Sequence, residues 1–179
     1  MPEPMLRQPP WDPPAATPEP TTADERTALA AFLDSGRATL LGKCAGVDGG
    51  QLARRACPPS TLSLLGLLRH MGDVERAWFR RTLDGQDAPP IFYSSRQDWD
   101  DQFDLVDPAQ AARDLATYLA EVGAARQIAT RYELADTAVT RHGDVVTLRW
   151  IMLHMIEEYS RHNGHADLIR EAIDGSRGP

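Results

Sequence analysis

The chain has 179 residues, 42% hydrophobic and 25% charged, which is enough for one domain with a substantial core and too short for two. Its net charge of −7, without a basic run, argues against a nucleic acid partner, because phosphate binding needs clustered cations. Two cysteines cannot build a disulfide framework, and the lack of an apolar run of about 20 residues or of a signal-peptide pattern predicts a cytoplasmic protein that does not bind membranes.

A proline-rich segment opens the chain, since eight of residues 1–20 are proline. Proline has no N–H to donate to a helix or a sheet, so we expect residues 1–20 to form an extended arm. Met5, Leu6 and Trp11 could dock this arm onto the domain, with disorder as the alternative.

Two helices are predicted in the first half of the remaining chain. The first begins at residues 22–25, which fit a capping box, and its apolar spacing continues to about Cys44. The glycine-rich residues 46–50 then end it. The second begins near Ser60 or Thr61, after two prolines, and ends close to residue 83.

Two more helices are predicted after a long connection over residues 86–106. The third opens on an Asp-Pro pair, an N-cap followed by proline at the first helical position. The predicted bounds are residues 107–132 for the third helix, 138–146 for a short hairpin and 147–173 for the fourth helix. These elements predict an all-α four-helix bundle over residues 21–175, followed by a tail of residues 176–179.

The inner face of the fourth helix carries polar residues on an otherwise apolar stripe. At 100° per residue, seven residues lie within about 60° of Glu158: Ile151, His154, Met155, His162, His165, Ile169 and Ile173. An unpaired buried carboxylate costs several kcal/mol. Glu158 therefore pairs either with an arginine or protonated histidine from another helix, or with a divalent metal ion.

The second helix supplies a third ligand for the metal alternative. Glu158 and His162 are four residues apart, so both side chains leave the same face of their helix. His70 lies on the apolar face of the second helix and is predicted to point inward. Bundle metal sites are built from side chains on facing helices, so His70, Glu158 and His162 are the candidate metal ligands.

The other histidines are candidates for supporting roles. His154 and His165 each lie one turn from the Glu158–His162 pair and could replace Glu158 in a shifted ligand set. We expect them instead to orient ligands or move protons, and we take His165 as the candidate catalytic residue. His142, in a glycine-containing turn, is interpreted as solvated.

Two segments carry a resemblance to a known family. Residues 67–73 (LLRHMGD) and 157–167 (EEYSRHNGHAD), with the order of the helices, resemble the DinB-like superfamily and, more narrowly, its DUF664 group, over residues 22–175. Many members use three histidines, whereas this chain has Glu158 at one of the three positions. The pattern is similar to the metal-binding domain of mycothiol-dependent maleylpyruvate isomerases, in which one glutamate and two histidines hold zinc.

This resemblance implies a single divalent ion, zinc or nickel, at His70, Glu158 and His162. It also implies a metal-dependent transferase that activates a low-molecular-weight thiol, such as mycothiol, for addition to a small electrophile, and a homodimer is expected. His165 falls where many relatives have glutamine, so the resemblance assigns it no role. A metal-dependent hydrolase and a non-catalytic, stress-related binding bundle remain the alternatives.

Overall fold

The computed structural model describes residues 9–12, 18–95 and 97–178. In chain order its elements are α1 (Glu25–Cys44), α2 (Gly49–Leu52), α3 (Leu64–Glu75), a π-helix (Arg76–Leu83) that continues α3, α4 (Asp101–Asp104), a 3₁₀ turn (Pro108–Gln110), α5 (Ala111–Ala129), β1 (Thr137–Val139), β2 (Val145–Thr147) and α6 (Leu148–Asp174). The four long helical segments confirm the predicted all-α bundle.

Side-chain caps place two helix starts later than predicted. The capping box expected at residues 22–25 is wrong: Asp24 caps α1 and accepts a hydrogen bond from the backbone N–H of Thr27, at 3.0 Å. Likewise Ser63, rather than Ser60 or Thr61, caps α3. In both cases the cap oxygen satisfies an amide that the first helical turn leaves unpaired.

Two helical features were not predicted. Gly46, at a φ of +72°, follows the end of α1, but the chain then forms the short helix α2 instead of continuing as a loop. A capping box between Asp48 and Gln51 stabilises it. The second is the π-helix, which occupies the last third of the predicted second helix.

Helix α1 packs against α6, and α3 packs against α5. The close approach of α1 and α6 requires a glycine, because a Cβ at Gly36 would lie 2.8 Å from the Cβ of Tyr159. The core between the four helices is formed by leucines, methionines and two tyrosines. No described helix offers the length of apolar sequence that a membrane crossing needs.

One buried polar cluster ties the four helices together. Glu75 is fully buried and accepts two hydrogen bonds from Arg37, both at 2.7 Å, and one from the hydroxyl of Tyr159, at 2.8 Å. The hydroxyls of Tyr159 and Tyr118 lie 2.9 Å apart. Charge-assisted, bidentate bonds of this kind are the strong ones, so this cluster sets how α3 and α6 face each other.

The predicted hairpin is confirmed and leads directly into α6. Strands β1 and β2 pair antiparallel, with Ala138 opposite Val146. Thr147 ends β2 and caps α6, its side chain accepting from the backbone N–H of Trp150. The hairpin is therefore fixed to the start of the helix that carries two candidate ligands.

Part of the predicted arm contacts the bundle. Trp11 is only 6% exposed and belongs to the hydrophobic core, and its carbonyl accepts a hydrogen bond from the backbone N–H of Gly46, at 2.7 Å. Met5 and Leu6, and the rest of residues 1–8 and 13–17, lie outside the described residues.

Candidate metal site and cavity

The structure brings the three predicted ligands together. One ligand atom each from His70, Glu158 and His162 lies within 4.8 Å of the other two. Glu158 Oε2 and His162 Nε2 are 3.4 Å apart, and the rings of His70 and His162 have centroids 4.6 Å apart. Tetrahedral zinc ligands at about 2.1 Å from the ion lie about 3.4 Å from one another, so small side-chain movements would let the three enclose a divalent ion.

A buried glutamine fixes the orientation of His70. Gln102, in α4, donates from Nε2 to the carbonyl of Trp99, at 2.7 Å. Its other terminal atom, Oε1, lies 3.0 Å from His70 Nδ1. Because a carbonyl only accepts, the amide has one consistent orientation, and His70 Nδ1 carries the proton and donates. His70 Nε2 is then left with a free lone pair, as a metal ligand requires.

The charges of the cluster suit a divalent cation. Burial, followed by the proximity of His162, lowers the pKa of His70 to about 4, so its imidazole is neutral at pH 7. The hydrogen bond from His162, assisted by the nearby His154 and His70, lowers the pKa of Glu158 despite its partial burial. A neutral imidazole and an ionised carboxylate are the forms that bind metals.

The position of Glu158 on the apolar stripe predicted a buried side chain, but Glu158 is only partly buried. Its side chain keeps 19% of its exposure and faces a cavity. Its nearest described partners are two histidines of its own helix, since His154 Nε2 lies 3.5 Å from Glu158 Oε1 and His162 Nε2 3.4 Å from Oε2. No arginine pairs with it among the described residues.

The two supporting histidines take different positions. His154 stacks on Trp150, with ring centroids 4.9 Å apart, and stays outside the group of three. His165 Nδ1 lies 3.4 Å from His162 Nδ1, the ring nitrogen that does not face Glu158. Burial lowers the pKa of His165, which keeps it neutral and able to accept a proton. His165 is not among the residues that line the cavity.

A cavity of about 700 Å³ opens over His70 and Glu158. Its walls combine aromatic and polar side chains: Trp78, Trp99, Trp150, Tyr93, Asp73, Arg81, Arg141, His142 and Asp144. His142, interpreted as solvated from the sequence, is exposed at the hairpin turn and also borders this cavity. A space of this size accommodates a ligand of drug-like dimensions.

The segment between the second and third predicted helices supplies much of this site. Asp73 accepts the backbone N–H groups of Ile91 and Phe92, at 2.7 and 3.0 Å, and thereby ties the segment to α3. Burial raises the pKa of Asp73. The segment then presents Tyr93 and Trp99 to the cavity. The sequence predicts only a connection here, although its cluster of aromatic residues is a signal that the segment packs against the bundle.

Comparison with known protein families gives a match over most of the chain. The sequence model of a family described as Mycothiol-S-transferase matches residues 28–175. Apart from the first three residues of α1, this range contains the four long helical segments, and it contains all three residues of the cluster. The match confirms the resemblance to DinB-like bundles. A search of curated proteins found no match.

Proposed function

Because the chain belongs to the mycothiol S-transferase family, we propose that it is a metal-dependent S-transferase that joins a low-molecular-weight thiol to an electrophilic carbon. The observation that carries this proposal is the position of the cluster: His70, Glu158 and His162 lie together, and two of them border a cavity large enough for both substrates. A thiol of the mycothiol type is the family's expected substrate.

The donor set fits a catalytic ion. Two imidazoles and one carboxylate leave a tetrahedral ion with one open position, which is the arrangement of catalytic sites. A bound zinc or nickel ion would lower the pKa of a coordinated thiol, which is normally about 8.5, and hold it as the thiolate at neutral pH. Glu158 contributes the negative charge that offsets the ion.

The histidines outside the cluster have supporting roles in this proposal. For Nε2 of His162 to bind the ion, its Nδ1 must carry a proton, and His165 is the acceptor 3.4 Å away. We therefore propose that His165, our candidate catalytic residue, acts through His162 as a positioning residue. His154, beside Glu158 and stacked on Trp150, holds the carboxylate toward the cavity.

The test is metal analysis followed by a thiol-conjugation assay. Protein purified without added metal or chelating resin should contain about one equivalent of zinc or nickel. The metal-loaded protein should conjugate mycothiol, bacillithiol, glutathione or cysteine to a haloaromatic electrophile, and the metal-free protein should not. No rate above the metal-free control with any thiol would overturn the transferase proposal, and thiol-independent ester hydrolysis would favour the hydrolase.

A further inference from the structure

We propose that the cavity selects an electrophile with a carboxylate on a flat, unsaturated body, and that Arg81 and Arg141 bind this carboxylate beside Tyr93. The inference rests on the proposed function, because it names the class of the second substrate. The residues that carry it lie in the cavity wall, away from the metal cluster.

Arg81 differs from the other arginines of the π-helix. Arg76 Nη1 and Arg80 Nε bind the carboxylate of Glu121, at 3.0 and 2.7 Å. Arg81 is also partly buried, but it lines the cavity, and no described carboxylate lies within 4.0 Å of it. Asp73 acts on Arg81 only from beyond that distance. A partly buried cation without a direct ion pair is costly, so an anionic ligand would complete this position.

Tyr93 lies close to two arginines of the cavity wall. It is within the electrostatic influence of Arg81 and of Arg141, which belongs to the hairpin, and all three residues line the cavity. Burial and the charge of Asp73 raise the pKa of Tyr93, so the phenol keeps its proton and its O–H can donate. Two guanidinium groups and one hydroxyl are therefore available as donors in one cavity wall, which suits a carboxylate.

The acidic side chains nearby form no direct ion pair with either arginine among the described residues, although the charge of Asp73 acts on Arg81 and on Tyr93. Both oxygens of Asp73 are engaged by the backbone N–H groups of the 91–92 segment, as described above. Asp144 belongs to the hairpin turn, where its Oδ2 lies 3.5 Å from the hydroxyl of Thr140. Arg141 forms no ion pair in the described part of the chain, and its Nε contacts the ring of His142 instead.

Aromatic rings connect the two arginines to the metal cluster. Tyr93 contacts Trp99, with centroids 4.9 Å apart, and Trp99 contacts His70 edge-on, at 5.9 Å. Trp99 is 37% and Trp150 44% exposed, which is high for the largest side chain, and both border the cavity. Exposed aromatic faces stack on flat molecules. A ligand with its carboxylate at Arg81 would then direct its unsaturated body toward His70.

With a chloroaromatic acid as the electrophile, the thiolate sulfur attacks the ring carbon that bears chlorine. A C–S bond forms, and chloride leaves with the electron pair of the C–Cl bond. The thiol proton is released to solvent. No oxidant or reductant is needed.

The binding test uses unreactive ligands, so that it does not depend on catalysis. Titration calorimetry compares 3,5-dinitrobenzoate with neutral 1,3-dinitrobenzene on the full chain and on Arg81→Gln. Arg54→Gln is the control, because Arg54 is exposed, forms no ion pair in the described part of the chain and does not line the cavity. We expect Arg81→Gln to weaken the benzoate by about 10- to 100-fold, the strength of a charged hydrogen bond, and Arg54→Gln to leave it unchanged.

The kinetic test uses a matched pair of substrates, 4-chloro-3,5-dinitrobenzoate and its methyl ester, each normalised to its uncatalysed rate. The ratio of kcat/KM for the acid to kcat/KM for the ester should exceed one, and it should fall in Arg81→Gln and in Arg141→Gln. Arg141 is on the exposed hairpin turn, so Arg141→Gln provides the test if Arg81→Gln fails to fold. If the full chain, Arg81→Gln and Arg141→Gln all bind 3,5-dinitrobenzoate equally, the inference is overturned. Selective benzoate binding without turnover of either substrate would retain it and reject the transferase.

Discussion

Glu75 and Glu158 lie on the facing helical segments α3 and α6, yet their surroundings differ in kind. Glu75 is fully buried, and all its contacts are short: two from Arg37 at 2.7 Å and one from Tyr159 at 2.8 Å. Glu158 borders a cavity, and its contacts with His154 and His162 are 3.5 and 3.4 Å long. The first carboxylate has a complete set of partners.

The difference separates a structural carboxylate from one that is available to a ligand. A buried charge is tolerated when its partner is close and well oriented, which Arg37 is for Glu75. Glu158 has only neutral or weakly basic partners at longer distances, which leaves its oxygens available to an ion. Because Tyr159 follows Glu158 directly in α6, the hydrogen bonds between Glu75 and its partners also hold Glu158 in place.

The largest effect on stability is expected from breaking the hydrogen bonds of Glu75. Glu75→Ala leaves the buried Arg37 with only the exposed Asp34 as a partner and should lower the free energy of unfolding by about 3–5 kcal/mol. That corresponds to a fall in Tm of about 6–20 °C. Metal-free Glu158→Ala should lose less than about 1 kcal/mol. Urea unfolding of both variants measures this, and a larger loss for Glu158→Ala would contradict the assignment of roles.

Metal binding should respond instead to the candidate ligands. His70→Ala or His162→Ala removes one of three protein ligands and should weaken the ion by more than about 100-fold, the upper end of losses from groups that only orient a ligand. His154→Ala should stay below that limit. Competition with a chromogenic chelator measures the affinities. The ligand set is wrong if His154→Ala strips the ion and His70→Ala does not.

A smaller effect is expected at Gln102, because it touches a candidate ligand without binding the ion. Gln102→Leu removes the acceptor for His70 Nδ1 and should lower metal affinity by about 10- to 100-fold. Gln102→Glu keeps an acceptor oxygen and should lose less. Gln97→Leu, at an exposed position of the same segment, is the control. ¹⁵N NMR of His70 should show the proton on Nδ1 in the parent protein, and a proton on Nε2 would contradict this account.

The smallest effect concerns Asp114, a carboxylate between the two extremes. It is buried, and its partner Arg69 is 3.9 Å away. Burial raises the pKa of Asp114 to about 6, from a usual value of 3.8. Between these values the folded state binds more protons than the unfolded state, so this contribution to stability falls as pH rises.

The corresponding measurement is the free energy of unfolding of the parent protein and of Asp114→Asn between pH 4 and 7. Losing the Arg69 pair gives the variant a constant offset below its parent. In addition to that offset, the free energy of unfolding of the variant relative to the parent should increase as pH rises from 4 to 6, and then stay constant. A difference that does not change with pH would show that Asp114 titrates normally in the folded protein.

The sequence predicted the parts of the site that depend on regular helices. Glu158 and His162 are separated by one helical turn, and His70 lies on an apolar face, so periodicity alone brought the three to the inside of a bundle. The same wheel grouped His165 with them. The structure instead places His165 against the second ring nitrogen of His162, a distinction in side-chain direction that a wheel cannot resolve.

The remaining parts depend on tertiary contacts that leave no periodic signal. Gln102 functions because a short helix folds onto α3, and Trp99 faces the cavity because Asp73 ties its segment down. The π-helix is a local change of register that helix propensity does not encode. Glu75 looked like an ordinary helix residue, since its partner Arg37 is 38 positions away.

The distribution of tryptophan has an optical consequence. Of the four tryptophans in the sequence, Trp78, Trp99 and Trp150 border the cavity, while Trp11 is packed into the core. Most of the intrinsic ultraviolet emission of the protein therefore originates around one site. A nitroaromatic molecule or a paramagnetic ion that enters the cavity should quench three emitters and leave the fourth as an internal reference. Occupancy can then be followed in real time without attaching any dye.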